Sequence, residues 1–379
     1  MTTDVTRLPA APRVGIVGGG FMSTVHARAA RMAGAHLVAV ASRTRAGAHA
    51  ARAALGADRA SASIDDLLDD DSIEVVHVCT PNQTHVEIAS AALRAGKHVV
   101  CEKPLATSVE DAERLARLAA DCGLVGTVPF IYRFHPMVRE ARARVRRGQT
   151  GRLFSISGSY LQDWLAAATD DDWRVDPRHG GPSRAFADIG SHLCDILEFV
   201  TGDRITTLCS QIRTVHPDRS VNKAVITEDL AAVVAEFESG AVGTLSVSQV
   251  APGHKNGLTF HIAGENESLA FDQERPDRLN IGSRPGVLVV PRSDALAGEA
   301  ARYSVVPAGH PQGYQDAFNA FVADTYRAIV NPGVGAPDGL PTFDVGVRAA
   351  VLTDAVLRSS AAGAWVDASE LSSFGRRAG

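Results

Sequence analysis

No stretch of the 379 residues approaches the ~18 consecutive apolar residues that a bilayer-spanning helix needs, so a membrane span is not expected. Residues 1–12 are polar, carry two prolines, and lack the basic start and apolar core of a signal peptide. Cys-x-x-Cys pairs are also missing. The five cysteines, Cys79, Cys101, Cys122, Cys194 and Cys209, sit mostly within apolar runs and read as reduced, buried residues of a cytoplasmic protein. Neither sign of charge dominates: the net charge is −5, which gives no global pull toward nucleic acid or membrane. The one basic cluster, Arg139, Arg142, Arg144, Arg146 and Arg147, reads as the solvated face of an amphipathic connecting helix. Internal repeats and low-complexity segments are absent.

What is present begins with Val14-Gly15-Ile16-Val17-Gly18-Gly19-Gly20-Phe21, followed by an alanine-rich helical stretch from Met22 to Met32. A glycine motif at a strand–turn–helix junction is the context a dinucleotide site requires. Gly18 permits the tight turn, and Gly20 lets the main chain approach a pyrophosphate without a Cβ in the way. The following helix start offers unpaired N–H groups and the positive end of its dipole. The third position of the motif is Ser23 rather than glycine.

At this length two domains are expected. From Arg13 to about Val128, short β-rich runs (Val14–Val17, Leu37–Val40, Val75–Cys79, His98–Cys101, Leu124–Val128) alternate with helical stretches at 22–33, 45–55, 63–70, 83–95 and 108–122. Such alternation implies βαβ units and a parallel sheet. A helix at about 134–147 leads out. Beyond Gly151 six runs look like extended antiparallel strands: Leu153–Tyr160, Ile205–Val215, Leu230–Phe237, Ala241–Gln249, Leu258–Ala263 and Ser268–Phe271. A helix at Ile189–Val200 interrupts them, 272–312 is expected to form loops, and helices at about 313–330 and 343–361 close the chain.

In a nicotinamide-binding fold, an acidic side chain about 20 residues past the glycines grips the ribose 2′-hydroxyl of NAD. Here the second strand ends Val40-Ala41-Ser42-Arg43-Thr44-Arg45, without a carboxylate. Ser42 and Thr44 can donate hydrogen bonds, and Arg43 carries a planar fork suited to a 2′-phosphate. NADP or NAD is therefore expected, with the balance toward NADP; stacking of Arg43 on an adenine suits NAD equally.

Two further motifs, Thr80-Pro81-Asn82-Gln83-Thr84-His85 and Glu102-Lys103-Pro104, follow the third and fourth main strands. With Gly18–His26 and Gly180-Gly181…Asp188-Ile189-Gly190-Ser191-His192, they resemble the Gfo/Idh/MocA oxidoreductases. The resemblance runs from about residue 13 to the C-terminal helix. Its implication is an α/β chain with an N-terminal Rossmann domain built on a parallel sheet (1–130). A C-terminal α+β domain with an open, mostly antiparallel sheet (131–379) would serve substrate binding and oligomerisation as a homodimer or homotetramer. Helix 343–361 is expected to pack back toward the first domain. Leu161-Gln162-Asp163-Trp164, Trp173-Arg174 and Ser183-Arg184-Ala185 look most like the branch acting on pyranose sugars or glycosides, which includes levoglucosan dehydrogenases. The chain departs from many relatives at Ile131, where they carry Asn, so any pocket hydrogen bond from that Asn is lost.

Lys103 follows a buried strand, so its ammonium should emerge at the ligand edge of the sheet, and the resemblance makes it the residue that holds the reacting hydroxyl, or both holds and deprotonates it. Asp188 and His192, four apart, project from neighbouring points of one helical face. His192 is the best general base by intrinsic pKa. Asp188 suits orienting that histidine, binding a second hydroxyl, or capping the helix at 189. No third ligand accompanies the pair, so no metal is expected. By resemblance, Phe21 and Met22 pack under the cofactor; Thr80, Pro81, Asn82 and His85 line the nicotinamide ribose side; Glu102 contacts that ribose. Tyr132, Arg133, Trp164 and Arg174 are substrate candidates. These expectations describe a nicotinamide-dependent oxidoreductase acting on a ring hydroxyl of a sugar, glycoside or cyclitol. An NAD-dependent glycosidase that oxidises transiently, and a non-enzymatic dinucleotide-binding regulator, are the alternatives.

Overall fold

β-Branched and alanine-rich runs at the start of the chain form strands buried on both faces. β1 (Arg13–Val17), β2 (His36–Ala41), β3 (Arg59–Ala60), β4 (Val75–Val78), β5 (His98–Cys101) and β6 (Gly126–Thr127) pair in parallel, in the order β3-β2-β1-β4-β5-β6. Every residue of β4 is buried, as a parallel strand covered on both faces by helices requires. The computed structural model describes residues 11–293 and 295–369, so all of the polar N-terminal stretch except residues 11 and 12 lies outside the described residues. Helices α1 (Phe21–Met32), α2 (Arg45–Leu55), α3 (Ile64–Leu68), α4 (His85–Arg94) and α5 (Val109–Asp121) supply the crossovers. Thr44, Ser63 and Ser108 start α2, α3 and α5: each hydroxyl oxygen accepts a first-turn N–H, from Gly47, Asp66 and Asp111. β1 has β2 on one side and β4 on the other, so the order reverses there. Ligands of open α/β sheets bind at the carboxyl ends of strands at such a switch point.

The second sheet has nine strands: β7 (Leu153–Leu161), β8 (Ile205–Arg213), β9 (Leu230–Phe237), β10 (Val242–Ser248), β11 (Gly257–Gly264), β12 (Ser268–Asp272), β13 (Arg278–Ser283), β14 (Gly286–Pro291) and β15 (Val366–Asp367). Their order is β14-β13-β12-β11-β7-β10-β9-β8-β15, antiparallel except for the β7–β10 pair. Strict alternation sets which face is buried: in β9, Ala231, Val233, Ala235 and Phe237 point inward while Ala232, Val234 and Glu236 are exposed. The expected loop region 272–312 is corrected here, because it contains the hairpin β13–β14 and the short helix α9 (Gly298–Ala301). Leu279 and Ile281 anchor β13 in the core, whereas Val287, Leu288 and Val289 of the edge strand β14 are exposed.

Helices α6 (Pro136–Arg146), α8 (Ser191–Thr201) and α10 (Tyr314–Val330) pack their apolar residues into one cluster with the inner face of this sheet. The short helix α7 (Pro177–Gly180) precedes α8, and α11 (Phe343–Ala362) lies against both α5 and β8. The basic face of α6 is only partly solvated: Arg146 and Arg147 are exposed, whereas Arg142 and Arg144 are half-buried. Arg139 is buried, its guanidinium 4.6 Å from the Tyr303 ring and 4.7 Å from that of Phe199, while Arg142 and Arg146 pair with Glu299 and Asp338. Those partners come from far along the chain, which is why helix periodicity alone misreads this face. Among the described residues no helix is long and apolar enough to cross a membrane.

The turn after β1 depends on Gly18, whose φ is +130° and whose missing Cβ would stand 2.5 Å from the Cys79 carbonyl oxygen. Gly18→Ala is expected to lower stability by about 2 kcal/mol or more through strain and overlap. Urea unfolding of the two proteins side by side measures it, and an unchanged midpoint would contradict this account of the turn.

Candidate active site

The chain beyond the carboxyl ends of β1, β5 and β6 meets the inner face of the second sheet at a cavity of about 340 Å3. Its walls include Phe21 and Met22 from the start of α1, Glu102 and Lys103 after β5, and Asp188 and His192. The geometry therefore brings the three residues expected to carry the chemistry to one place, beside the glycine turn.

Lys103 Nζ donates to the Asp188 backbone oxygen at 3.1 Å and to Asp188 Oδ1 through a short ion-paired hydrogen bond. Asp188 Oδ2 accepts from Gln249 Nε2 at 2.7 Å, and Arg174 Nε lies 3.8 Å from Oδ1. Burial opposes ionisation of this carboxyl, but the charges of Lys103 and Arg174 outweigh it and bring its pKa down to about 2. His192 shows the reverse balance: burial, reinforced by the charge of Lys103, lowers its pKa to about 3. Its ring is walled by Phe130 and Tyr132, with centroids at 5.3 and 5.1 Å, and its buried Nδ1 has no hydrogen-bond partner among the described residues.

Asp188 neither caps the helix nor bonds to His192. It lies inside a π-helical turn, Phe186–Gly190, that runs straight into α8. That turn is held from the sheet side, where Glu228 Oε1 accepts from Ser183 Oγ and from the N–H groups of Arg184 and Phe186. The expected helix start at 189 is thus corrected by several residues.

Other expected residues divide. Tyr132 lines the cavity and its hydroxyl pairs with that of Tyr160 at 2.5 Å, while Asn256 Nδ2 donates to it at 3.2 Å. Arg174 also lines the cavity and donates through NH1 to Asp172. Trp164 stands outside, half exposed, donating its indole N–H to Gln162 Oε1, and Gln162 is the residue that reaches the wall. Arg133 is placed elsewhere. It forms a two-pronged pair with Asp195, stacks 4.7 Å from the Phe199 ring, and lines a separate cavity behind α8. It and Tyr132 are consecutive in a tight 3-10 turn, Ile131–Phe134, so they leave the chain in different directions. Five lining residues were not singled out from sequence: Pro129, Tyr160, Asn256, Tyr314 and Phe318. Gln249, the second partner of Asp188, was missed as well. They come from separate elements and share no local pattern; the end of β7 before Gln162 was the one available signal.

The residues expected to hold a dinucleotide form a fitting cradle. No side chain caps α1, no acid occupies its first turn, and nothing lies within 4 Å of the position a Cβ would take on Gly20. Its N–H groups and dipole are thus left for an anion. Phe21 is largely exposed above them. At the end of β2, Ser42 is half-buried and Arg43 exposed without an ion pair among the described residues, while Thr44 serves as the α2 cap. Thr80 Oγ1 accepts from Thr84, Pro81 is exposed, and Asn82 Nδ2 reaches the Gly180 carbonyl at 2.9 Å, tying the loop after β4 to α7. His85 is corrected from a cofactor-lining residue to a strut: its ring nitrogens lie 2.7 Å from the Pro104 oxygen and 2.8 Å from that of Thr80, and the residue is buried behind both loops. Among the described residues no group of three His, Cys, Asp or Glu is arranged to hold a metal ion.

Residues 12–130 match the oxidoreductase family with an NAD-binding Rossmann fold, and 138–270 match the Gfo/Idh/MocA C-terminal domain. The chain belongs to the Gfo/Idh/MocA oxidoreductase family. It is 30% identical to levoglucosan dehydrogenase of Pseudarthrobacter phenanthrenivorans, over 95% of this chain and 98% of that protein. A levoglucosan dehydrogenase structure in complex with NADH and L-sorbose superposes with a TM-score of 0.88 at 30% identity, covering 95% of this chain and 99% of that one. An inositol dehydrogenase homologue from Azotobacter vinelandii, complexed with NADH and myo-inositol, gives a TM-score of 0.85 at 28% identity, covering 94% and 98%.

The depressed pKa of His192 has a measurable consequence. Between its unfolded value near 6.5 and about 3, the unfolded chain binds a proton that the folded chain refuses, so stability is lost as pH falls through that window. In His192→Gln that contribution is gone. Its unfolding free energy, compared with wild type between pH 7 and pH 4, should fall less steeply; parallel curves would mean that His192 is not held neutral.

Proposed function

We propose that the protein is a nicotinamide-dependent dehydrogenase that oxidises a ring hydroxyl of a pyranose sugar, glycoside or cyclitol to a ketone, or runs the reverse reduction. The observation carrying this reading is the convergence of Lys103, Asp188 and His192 on one cavity beside the uncapped start of α1. The names of the levoglucosan and inositol dehydrogenase relatives point to the same substrate class. A bound nicotinamide supplies the hydride acceptor, and the protein supplies positioning, polarisation and a place for the proton.

Lys103 meets the alcohol oxygen with its ammonium and stabilises the negative charge that grows there as the C–H and O–H bonds loosen. His192 receives the hydroxyl proton. Its imidazole is neutral at every working pH, so a lone pair is always available. The basicity it forfeits to burial is offset because Lys103 makes the alcohol a stronger acid. Asp188 keeps the ammonium in place and lends a compensating charge when His192 becomes imidazolium. Tyr132, Tyr160, Gln162, Asn256 and Arg174 offer hydroxyl, amide and guanidinium groups to the remaining hydroxyls of a polyol ring.

Lys103→Ala should reduce turnover by about 10^2-fold to 10^4-fold while NADH still binds. Steady-state kinetics together with NADH fluorescence titration reads both quantities, and near-normal turnover would remove Lys103 from the mechanism. For the cofactor, the end of β2 without a carboxylate and the unpaired Arg43 favour acceptance of a 2′-phosphate, with NADP preferred over NAD.

A panel of sugars, glycosides and inositols, each tried with NAD and with NADP, tests substrate class and cofactor together. Reduction of the nicotinamide by at least one polyol is the expected result. An efficiency ratio above tenfold in favour of NAD would overturn the NADP preference. Release of free sugar without net cofactor reduction would assign a glycosidase instead.

A further inference from the structure

Behind the cavity, a line of titratable side chains runs from its wall into the core. Glu102 Oε1 lies 2.8 Å from His26 Nε2, His26 Nδ1 lies 2.9 Å from His77 Nδ1, and His77 Nε2 lies 2.8 Å from the Tyr326 hydroxyl. The four residues come from β5's carboxyl end, α1, β4 and α10, and none of the three behind Glu102 reaches solvent. Nothing in the hydride-transfer scheme uses them, and a purely packing role would be served more cheaply by apolar side chains.

Hydrogen bookkeeping gives the chain one direction. His77 is the only hydrogen-bond partner of the Tyr326 hydroxyl among the described residues, and burial holds that phenol protonated, so its hydrogen goes to His77 Nε2. Burial, with His26 alongside, keeps His77 neutral, and its single N–H is then on Nδ1, donated to His26 Nδ1. The hydrogen of His26 is left on Nε2, facing Glu102. Every donor and acceptor is used once, and the last donor is aimed at a carboxylate. The other oxygen of that carboxylate accepts the Lys103 backbone N–H at 3.2 Å, and the residue shares its cavity wall with Phe21 and Met22 at the dinucleotide cradle.

We propose that Tyr326, His77 and His26 are positioning residues that hold the Glu102 carboxylate as a hydrogen-bond acceptor on the cofactor side of the cavity. The inference rests on the nicotinamide reading above and assigns the recognition of a ribose hydroxyl partly to residues that never touch the cofactor. Around Glu102, burial works against ionisation, whereas His26, Lys103 and His85 favour it and together win. His192, Tyr314 and the thiols of Cys79 and Cys101 also sense its charge, and the last three are themselves held protonated by burial. Without the His26 donor the balance moves toward burial, which raises the Glu102 pKa and favours the protonated carboxyl. It then ceases to be an acceptor.

The test is direct binding of NADH and of NADPH, each followed by fluorescence from pH 6 to pH 8.5, with no turnover required. Wild type should bind with nearly constant Kd. His26→Leu should bind about tenfold more weakly at pH 6 than at pH 8.5, the worth of one charge-assisted hydrogen bond. His26→Gln, which keeps an N–H donor, should restore a flat profile. In the apo protein, His26→Leu should also lose thermal stability as pH rises from 5 to 8, because a carboxyl with a raised pKa binds its proton more tightly folded than unfolded. Should His26→Leu not fold, Tyr326→Phe reports on the same chain. Without that hydroxyl nothing sets the direction of the hydrogens, and a smaller shift of about threefold is expected between the same pH values. Flat Kd profiles in both Leu and Phe variants would overturn the proposal. Failure of wild type to bind either NADH or NADPH would instead overturn the dehydrogenase reading.

Discussion

A partly buried ion pair, Lys103 with Asp188, joins the edge of the parallel sheet to the π turn ahead of α8. Two charges withdrawn from water are costly, and such a pair endures only when further hydrogen bonds complete both ends. Here Gln249 takes the second carboxylate oxygen, Arg174 approaches from the side, and the turn carrying Asp188 is itself pinned through Glu228. The pair therefore fixes the relative position of the nucleotide-side loops and the substrate-side sheet. It also determines the electrostatics of the cavity, since the same ammonium helps keep His192 neutral and Asp188 ionised.

The remaining cavity wall follows from that constraint. Once α8 is seated, His192 falls among Phe130, Tyr132 and Tyr160, whose rings exclude water and lower the local dielectric. The tyrosine hydroxyls do not remain orphans. They bond to one another and to Asn256, which also accepts from Gln162 at 3.1 Å. A polar network built on strands and turns of a rigid sheet is preorganised, and little side-chain freedom is left to lose when a polyol enters.

Much of this was legible in the sequence wherever function and structure share a short stretch of chain. The glycine turn and the Glu-Lys-Pro motif each lie within a few residues and report their own geometry. The hairpin β13–β14 was illegible because its buried contribution is essentially Leu279 and Ile281, set among Gly, Arg and Pro, and its outer strand is exposed. Arg133 was misjudged for a related reason. It neighbours Tyr132 in sequence, and the sequence does not say that Asp195 waits on the other side. Gln249, Asn256 and Tyr314 reach the site through tertiary placement alone, and the helical start of Asp188 was obscured by a π turn that ordinary periodicity does not encode.

A lysine ammonium is a tripod of three hydrogens. For Lys103 one leg stands on the Asp188 main chain and a second on its carboxylate, which leaves a single leg for any incoming molecule. Two planted legs fix the heading of the third. In the proposed reaction a polyol ring offers several near-equivalent oxygens, and that heading would select one of them and the side of its carbon that turns toward the cofactor. Handedness in the proposed reaction would thereby be written into the backbone of residue 188 as much as into the shape of the pocket.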